Sequence, residues 1–236
     1  MTLPLPTVAI LAGGLATRLR PITETIPKAL VPVAGRPFLA HQLRLLAGQG
    51  FQRVVLCVGH LGEQIEAAFG TGGNYGIHLD YSYDGEKLVG TAGALRKALP
   101  LLGESFQTLY GDSYLDIDYR PIWSAFLQNE EPALMTVIQA SCGGEPANVR
   151  FESNRVTAYG KKHPLLEMTF IDYGLNCFRS EVFQNFNTPD LSELQSELAQ
   201  RDLLAGFEVT DPYFEIGSHR GLEALESHLK GRPNAP

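Results

Sequence analysis

LAGGLATRLRPITETIPKALVPVAGRP, residues 11–37, is the stretch on which the fold turns. It grows out of a short apolar run, TVAILA at residues 7–12, and such a run stopped by glycine is the pattern of a central parallel strand covered on both faces. The paired Gly13 and Gly14 that follow let the backbone turn with positive φ, approach a ligand closely and aim free amides at phosphate oxygens. Thr17, Arg18, Arg20 and Lys28 then bring a hydroxyl and mobile positive charge beside those amides. A strand running directly into an anion-binding loop predicts an α/β fold with its ligand at the strand ends.

The sequence downstream keeps the same rhythm. Residues 37–50 (PFLAHQLRLLAGQG) place Phe38, Leu39, Leu43, Leu46 and Ala47 on one helical face, with proline in the first turn and Gly50 at the exit. Residues 53–58 (RVVLCV) predict a second buried strand, 61–69 a helix, 78–83 (HLDYSY) a half-exposed strand and 91–99 a third helix. Residues 106–110 (FQTLY) form a strand that runs straight into Gly111-Asp112. This order predicts a Rossmann-like mixed, mostly parallel sheet with right-handed crossovers and helices on both faces. The glycine loop and Asp112 both follow a strand directly, which puts them at the carboxyl edge where such sheets bind ligands.

Beyond residue 121 the pattern loosens. Residues 122–129 read as a helix, 133–140 (ALMTVIQA) as a strand, and 148–159 (NVRFESNRVTAY) as a hairpin turning at Ser153-Asn154. Residues 169–178 (TFIDYGLNCF) predict a strand carrying polar groups. Helical sequence follows at 179–186 and 191–204, then a last strand at 212–216 (PYFEI), with Ser218 capping a final helix. No repeat or linker-like composition interrupts residues 1–236, so the chain reads as one domain.

Composition narrows the function classes. A chain of 236 residues, 44% hydrophobic and 19% charged, can bury the core of one large α/β domain. Its net charge of −7 argues against a broad basic surface for nucleic acid or an anionic membrane, so a phosphate ligand would need local charge. Cys57, Cys142 and Cys177 are widely spaced and odd in number, which predicts reduced thiols of a cytoplasmic protein rather than a disulfide framework or zinc site. His41, His60, His78, His163, His219 and His228 show no metal-ligand spacing and read as surface or packing residues. The opening MTLPLPTVAILAGG lacks a basic n-region and reads as a leader into the first strand, and no apolar stretch approaches the ~18 residues of a transmembrane helix.

The loop itself departs from the best-known phosphate-binding patterns. GGLATR has neither the GxxxxGK[ST] spacing of nucleoside triphosphatases nor GxGxxG, and the second strand leads to Gly59-His60 where a dinucleotide fold wants an acidic residue for the ribose. A nicotinamide dehydrogenase is therefore disfavoured. What the stretch does match is two spaced blocks. Gly13-Gly14-Leu15-Ala16-Thr17-Arg18-Leu19 and Pro27-Lys28-Ala29-Leu30-Val31-Pro32-Val33-Ala34-Gly35-Arg36-Pro37 fit G-G-x-x-T-R-L and P-K-x-L-x-P-V-x-G-x-P. These blocks are the signature of the sugar-1-phosphate nucleotidyltransferases. With Val89-Gly90-Thr91-Ala92-Gly93, Gly111-Asp112 and Glu215-Ile216-Gly217-Ser218, the chain resembles that family over almost its whole length.

The resemblance implies a nucleotide-diphospho-sugar transferase fold, with a nucleotide-binding half over about residues 1–120 and a sugar-binding half over about 121–236. It implies Mg²⁺-dependent in-line attack of a sugar 1-phosphate oxygen on the α-phosphorus of a nucleoside triphosphate, chemistry made mostly of positioning and charge neutralisation. By the same likeness, Arg18 binds the leaving pyrophosphate and Lys28 the α-phosphate and sugar phosphate. Leu11, Ala12, Gly13, Gly14, Thr17, Gly90, Thr91 and Gly111 surround the nucleotide, while Lys161, Asp172, Tyr173 and Gly174 face the sugar. Asp112 and Glu215 hold Mg²⁺, which takes one or two protein carboxylates. Relatives commonly have aspartate where Glu215 stands and often glutamate where Gly160 stands. Asp211 competes with Glu215, Asp116 and Asp118 with Asp112, and Lys162 with Lys161.

Some bacterial relatives append a β-helix of hexapeptide repeats; none precedes Pro236, so the chain looks like the catalytic unit alone. FIDYGLNCF together with YFEIGS is most similar to D-glycero-D-manno-heptose 1-phosphate guanylyltransferases of bacterial polysaccharide biosynthesis, which implies GTP and a heptose 1-phosphate. Uridylyltransferases acting on hexose or N-acetylmuramate 1-phosphates share nearly all these motifs, so base and sugar stay open, as does homo-oligomerisation. A phosphocholine cytidylyltransferase would want an aromatic cage, for which Tyr110, Tyr114, Tyr173 and Trp123 are available but no spacing demands it. A regulatory nucleotide-sugar-binding protein without turnover would be expected to have lost Arg18, Lys28 or the carboxylates, and all four positions are filled.

Overall fold

The apolar run that opens the chain becomes β1 (Thr7–Leu11), whose Val8, Ala9 and Ile10 are fully buried. The computed structural model describes residues 4–143, 146–160 and 167–231. After β1 come β2 (Pro32–Val33), β3 (Arg36–Pro37), α1 (Phe38–Gly48), β4 (Arg53–Val58), α2 (Gly62–Phe69), β5 (His78–Tyr83), α3 (Thr91–Leu102), β6 (Ser105–Tyr110) and β7 (Ser113–Leu115). The remainder supplies α4 (Arg120–Gln128), β8 (Ala133–Gln139), α5 (Ala140–Gly143), β9 (Val149–Glu152), β10 (Arg155–Tyr159), β11 (Phe170–Arg179), α6 (Val182–Asn185), α7 (Leu191–Gln200), β12 (Leu204–Glu208), β13 (Tyr213–Glu215) and α8 (His219–Lys230).

Nine strands form one mixed sheet in the order β5-β4-β1-β6-β11-β8-β12-β10-β9. The pairings β5–β4, β4–β1 and β1–β6 are parallel, as strand-helix-strand connections require. Strand β11 then enters antiparallel between β6 and β8, β12 returns parallel to β8, and the β9–β10 hairpin closes the edge antiparallel. The parallel character is thus concentrated in the half that carries the glycine loop. Helices cover both faces. Leu39, Leu43 and Leu46 of α1, Ile65 of α2 and Ile122 of α4 are buried on one side; Leu95 of α3, Phe183 of α6 and Leu194 of α7 are buried on the other. The α1 leucines recur on one helical stripe, and burying each contributes roughly 1.5–3 kcal/mol.

Three elements differ from the sequence expectation. The helix read over residues 191–204 ends at Gln200, because Asp202 turns the chain through a left-handed φ of 60° and residues from Leu204 pair in register with Ala133 onward on β8. Of residues 179–186 only Val182–Asn185 is helical. Between β7 and β13 an unforeseen ribbon forms, in which Tyr213, Phe214 and Glu215 pair antiparallel with Leu115, Tyr114 and Ser113. The hairpin turn falls as expected, with Ser153 and Asn154 at φ 51° and 60°. No helix among the described residues is long and apolar enough to cross a membrane.

Where β1 and β6 end side by side, the chain leaves no room for a side chain. A Cβ on Gly111 would lie 2.4 Å from the Leu11 carbonyl oxygen, to which the Gly111 amide donates at 3.0 Å. Gly111→Ala is therefore expected to push the two strand ends apart and destabilise the protein by about 1–3 kcal/mol, read as a lower urea midpoint. An unchanged midpoint would contradict this packing.

Candidate active site

A cleft of about 370 Å³ opens at the carboxyl ends of β4, β1 and β6 and beside the end of β5, the edge that the parallel order points to. Its lining includes Leu11, Ala12, Gly13, Gly14, Thr17, Gly90, Thr91 and Gly111, together with Arg18, Lys28 and Asp112. The loop from β1 reaches it through three short 3₁₀ turns at Thr17–Leu19, Ile22–Glu24 and Lys28–Leu30. Leu19 and Ala29 are buried beside Arg18 and Lys28, and Thr23 Oγ1 donates to the Ala16 carbonyl at 2.8 Å. These anchors hold the two cations at the cleft.

The glycine pair does not serve the conformation expected of it. The left-handed residue of the loop is Ala16, at φ 48°, and neither Gly13 nor Gly14 has positive φ. Gly13 answers instead to close approach, since a Cβ there would sit 3.0 Å from the Gly59 nitrogen; Gly14 borders open space.

Two ion pairs span the mouth. Lys28 Nζ lies 2.7 Å from Asp112 Oδ2, and Arg18 Nη2 lies 3.2 Å from Glu215 Oε1. The Lys28 and Asp112 side chains are 15% and 25% exposed, whereas Arg18 is 71% exposed. An exposed pair contributes about 0–1 kcal/mol, so Arg18 is held lightly and can exchange partners. Burial and the neighbouring Asp112 charge push the Glu215 carboxyl above its usual range, against the opposing pull of Arg18 and Lys28. The two carboxylates thus feel each other directly. The ribbon explains why: Glu215 pairs with Ser113, and the Ile216 amide donates to the Asp112 carbonyl at 2.9 Å.

Two carboxylates brought to one edge of the cleft by the ribbon are hard oxygen donors of the kind Mg²⁺ takes, one or two at a time, while keeping waters and substrate phosphates as its other ligands. Among the described residues no group of three or more His, Cys, Asp or Glu forms a fuller cage. Two of the sequence competitors are engaged elsewhere: Asp118 pairs with Arg120 at 2.8 Å and Asp116 with His228 at 2.8 Å. Of the candidate carboxylates only Asp112 lines the cleft itself, and Glu215 reaches its mouth through the contact with the lining residue Arg18, which Asp116, Asp118 and Asp211 do not make.

The residues expected to face a sugar behave differently. Lys161, like its competitor Lys162, lies outside the described residues. Asp172 stands behind the cleft wall: Tyr110 donates to its Oδ2 at 3.3 Å, Tyr159 donates to the same oxygen at 3.1 Å, and the Gly174 amide donates to Oδ1 at 3.0 Å. Gly174, at φ 104°, sits in an irregularity of β11 between Asp172 and Asn176. The Tyr173 side chain is turned to the opposite face, 1% exposed and edge-on to Tyr213. None of Asp172, Tyr173 and Gly174 is part of the cleft lining.

Asp84, Leu88, Cys57, Tyr110 and Gly217 also line the cleft. Asp84 follows β5 as directly as Asp112 follows β6, so the strand-end rule contained the signal. Burial pushes its carboxyl up, offset by a hydrogen bond from the Val89 amide and the charge of Lys97. Burial, then the Asp84 charge, push the Cys57 thiol up to about 12. Gly90 owes its glycine to packing as well: it has φ 80°, and a Cβ would lie 2.4 Å from the Pro189 oxygen. That oxygen accepts from the Ala92 and Gly93 amides at 2.9 and 3.2 Å, so these first α3 amides are already used. Thr91 Oγ1 accepts from the Leu191 amide at 2.7 Å and keeps its own proton to donate.

Comparison with known proteins adds an independent line. A family model described as nucleotidyl transferase matches residues 7–205. The UTP–glucose-1-phosphate uridylyltransferase of Synechocystis sp. is 32% identical over 191 residues, 73% of this chain; the match spans only 49%, about half, of that longer protein. The D-glycero-alpha-D-manno-heptose 1-phosphate guanylyltransferase of Campylobacter jejuni is 28% identical over 88% of this chain and 93% of its own length. Among solved structures, HddC from Yersinia pseudotuberculosis complexed with GMP-PN superposes with a TM-score of 0.79 at 21% identity, covering 95% of this chain and 100% of that one. At that identity the superposition speaks for the fold.

Proposed function

Because this chain belongs to the nucleotidyl transferase family, we propose that it transfers a nucleotidyl group from a nucleoside triphosphate to a sugar 1-phosphate. An oxygen of the sugar phosphate bonds to the α-phosphorus, the bond from that phosphorus to the bridging oxygen of the β-phosphate breaks, and pyrophosphate leaves with the electron pair. The observation that carries this reading is the arrangement of two cations and two carboxylates, Lys28 with Asp112 and Arg18 with Glu215, across the mouth of a cleft floored by the ends of β1 and β6. In the working enzyme Lys28 and Arg18 leave these carboxylates for phosphate oxygens, Lys28 at the α-phosphate where charge grows and Arg18 at the departing pyrophosphate. Asp112 and Glu215 would hold Mg²⁺, which would supply charge neutralisation at the phosphates. The backbone at Leu11–Gly14, Gly90 and Gly111 borders the nucleotide, and Thr91 can donate to it. The buried Asp172 fixes Tyr110, through which it acts on the sugar side of the cleft.

We favour GTP and a heptose 1-phosphate, because the Campylobacter relative named for that pair matches this chain nearly end to end, 88% against 93%. A UTP-dependent reaction on a hexose or N-acetylmuramate 1-phosphate is the second reading, supported by the higher identity, 32%, of the Synechocystis relative. A panel of nucleoside triphosphates against heptose, glucose, mannose and N-acetylmuramate 1-phosphates, with Mg²⁺, separates them by pyrophosphate release. GTP with heptose 1-phosphate is expected to give the highest kcat/KM. A higher value for UTP with any sugar would replace the first reading with the second, and no release from any pair would refute both.

A further inference from the structure

Helix α8 has an apolar stripe, with Leu225 buried and Leu222 and Leu229 packed beside it against Val33, Phe38, Tyr114, Phe214 and Ile216. That stripe is enough to dock a helix. Yet the helix also carries His228 into the same contact, where Nε2 donates to Asp116 Oδ2 at 2.8 Å. The two side chains are only 24% and 11% exposed. Partly burying such a pair costs desolvation that is rarely recovered as stability; what it does supply is fixed geometry. The geometry here is specific. The His228 ring lies 4.3 Å from Phe214 and 6.4 Å from Tyr114, centroid to centroid, and Phe214 and Tyr114 are directly opposed across the β7–β13 ribbon. One side chain therefore grips both strands of the ribbon, and through Asp116 the chain just beyond β7. At the other end of α8, a Cβ on Gly221 would lie 1.9 Å from the Glu215 carbonyl oxygen, so the helix start rests on the Glu215 backbone.

We propose that His228 is a positioning residue for the Asp112–Glu215 pair: held by Asp116 and stacked on Phe214, it fixes the register of the ribbon whose strands present the two carboxylates. This rests on the reading of those carboxylates as a divalent-cation site. Their spacing must be maintained against mutual repulsion, and groups that orient ligands from behind commonly matter 10–100-fold in metal affinity, on the order of what is expected here.

The test is Mn²⁺ binding in the presence of inorganic pyrophosphate, a probe independent of base and sugar, followed by electron paramagnetic resonance. His228→Phe keeps a ring over Phe214 but loses the bond to Asp116, and Asp116→Asn loses the charge. Each is expected to weaken Mn²⁺ binding by about tenfold or more, with the double variant no worse than either single one, while Leu222→Ala lowers the melting temperature and leaves Mn²⁺ affinity within about twofold. Wild-type affinity in His228→Phe, or an equal loss in Leu222→Ala, would overturn the inference and leave the proposed function standing. If the wild-type protein itself fails to bind Mn²⁺ with pyrophosphate, the metal reading falls and this inference with it.

Discussion

Replacing Lys28 with alanine is expected to lower kcat by about 10³-fold or more with the fold intact, a loss of roughly 4 kcal/mol in transition-state stabilisation. The position of Nζ supports that size. It lies 2.7 Å from Asp112 at the mouth of the cleft, on a turn anchored by buried Ala29, which is where the proposed reaction puts the α-phosphate. A cation that binds substrate and transition state equally would mainly raise KM, whereas one aimed at charge that grows during transfer acts on kcat. Arginine at this position should not restore the rate, because a planar fork cannot replace a compact ammonium in the same space. Unchanged circular dichroism together with a rate loss below tenfold would remove Lys28 from the chemistry.

The second large effect concerns the carboxylates. Asp112→Asn keeps the shape and removes the negative charge that pairs with Lys28 and that the proposed divalent cation would use, and the Mg²⁺-supported rate is expected to fall by about 10³-fold, in line with the several kcal/mol that metal-borne charge stabilisation provides. Glu215→Asp should be far milder. It retains a hard oxygen ligand one methylene shorter, and Arg18, which pairs with it at 3.2 Å, is 71% exposed and able to follow or leave. Titrating Mg²⁺ separates the two variants: Glu215→Asp is expected to recover at higher Mg²⁺, and Asp112→Asn to remain slow at saturation. An Asp112→Asn protein within tenfold of wild type would show that the metal carboxylate lies elsewhere.

Much of this site was legible because its residues follow strands directly. TVAILA ending in Gly13 and FQTLY ending in Gly111-Asp112 each declare a buried strand and the edge where it stops, and adjacent parallel strands must then bring both loops together. What was hidden depends on contacts distant in sequence. Resemblance alone paired Glu215 with Asp112; the ribbon that joins their surroundings is made of two three-residue strands about a hundred positions apart, too short to carry a periodic signal. Leu203-Leu204 continues the helical spacing of α7, and only a left-handed Asp202 and the waiting edge of β8 turn Leu204–Glu208 into a strand. Tyr173 alternates to the far face once β11 is placed, which a strand quoted in isolation does not reveal. The positive φ expected of Gly13 and Gly14 falls instead on Ala16. Gly13, Gly90 and Gly111 are small because neighbouring backbone passes within contact distance, a fact that belongs to packing.

The most direct measurement follows the α-phosphate. Incubating the protein with Mg²⁺, GTP labelled at the α-phosphorus and a heptose 1-phosphate should place the label in the sugar nucleotide, with one pyrophosphate formed per label transferred, and Lys28→Ala should abolish both together. Label remaining in GTP, or emerging as free GMP without a sugar nucleotide, in this pair and in the corresponding UTP and hexose or N-acetylmuramate pairs, would contradict nucleotidyl transfer at this cleft.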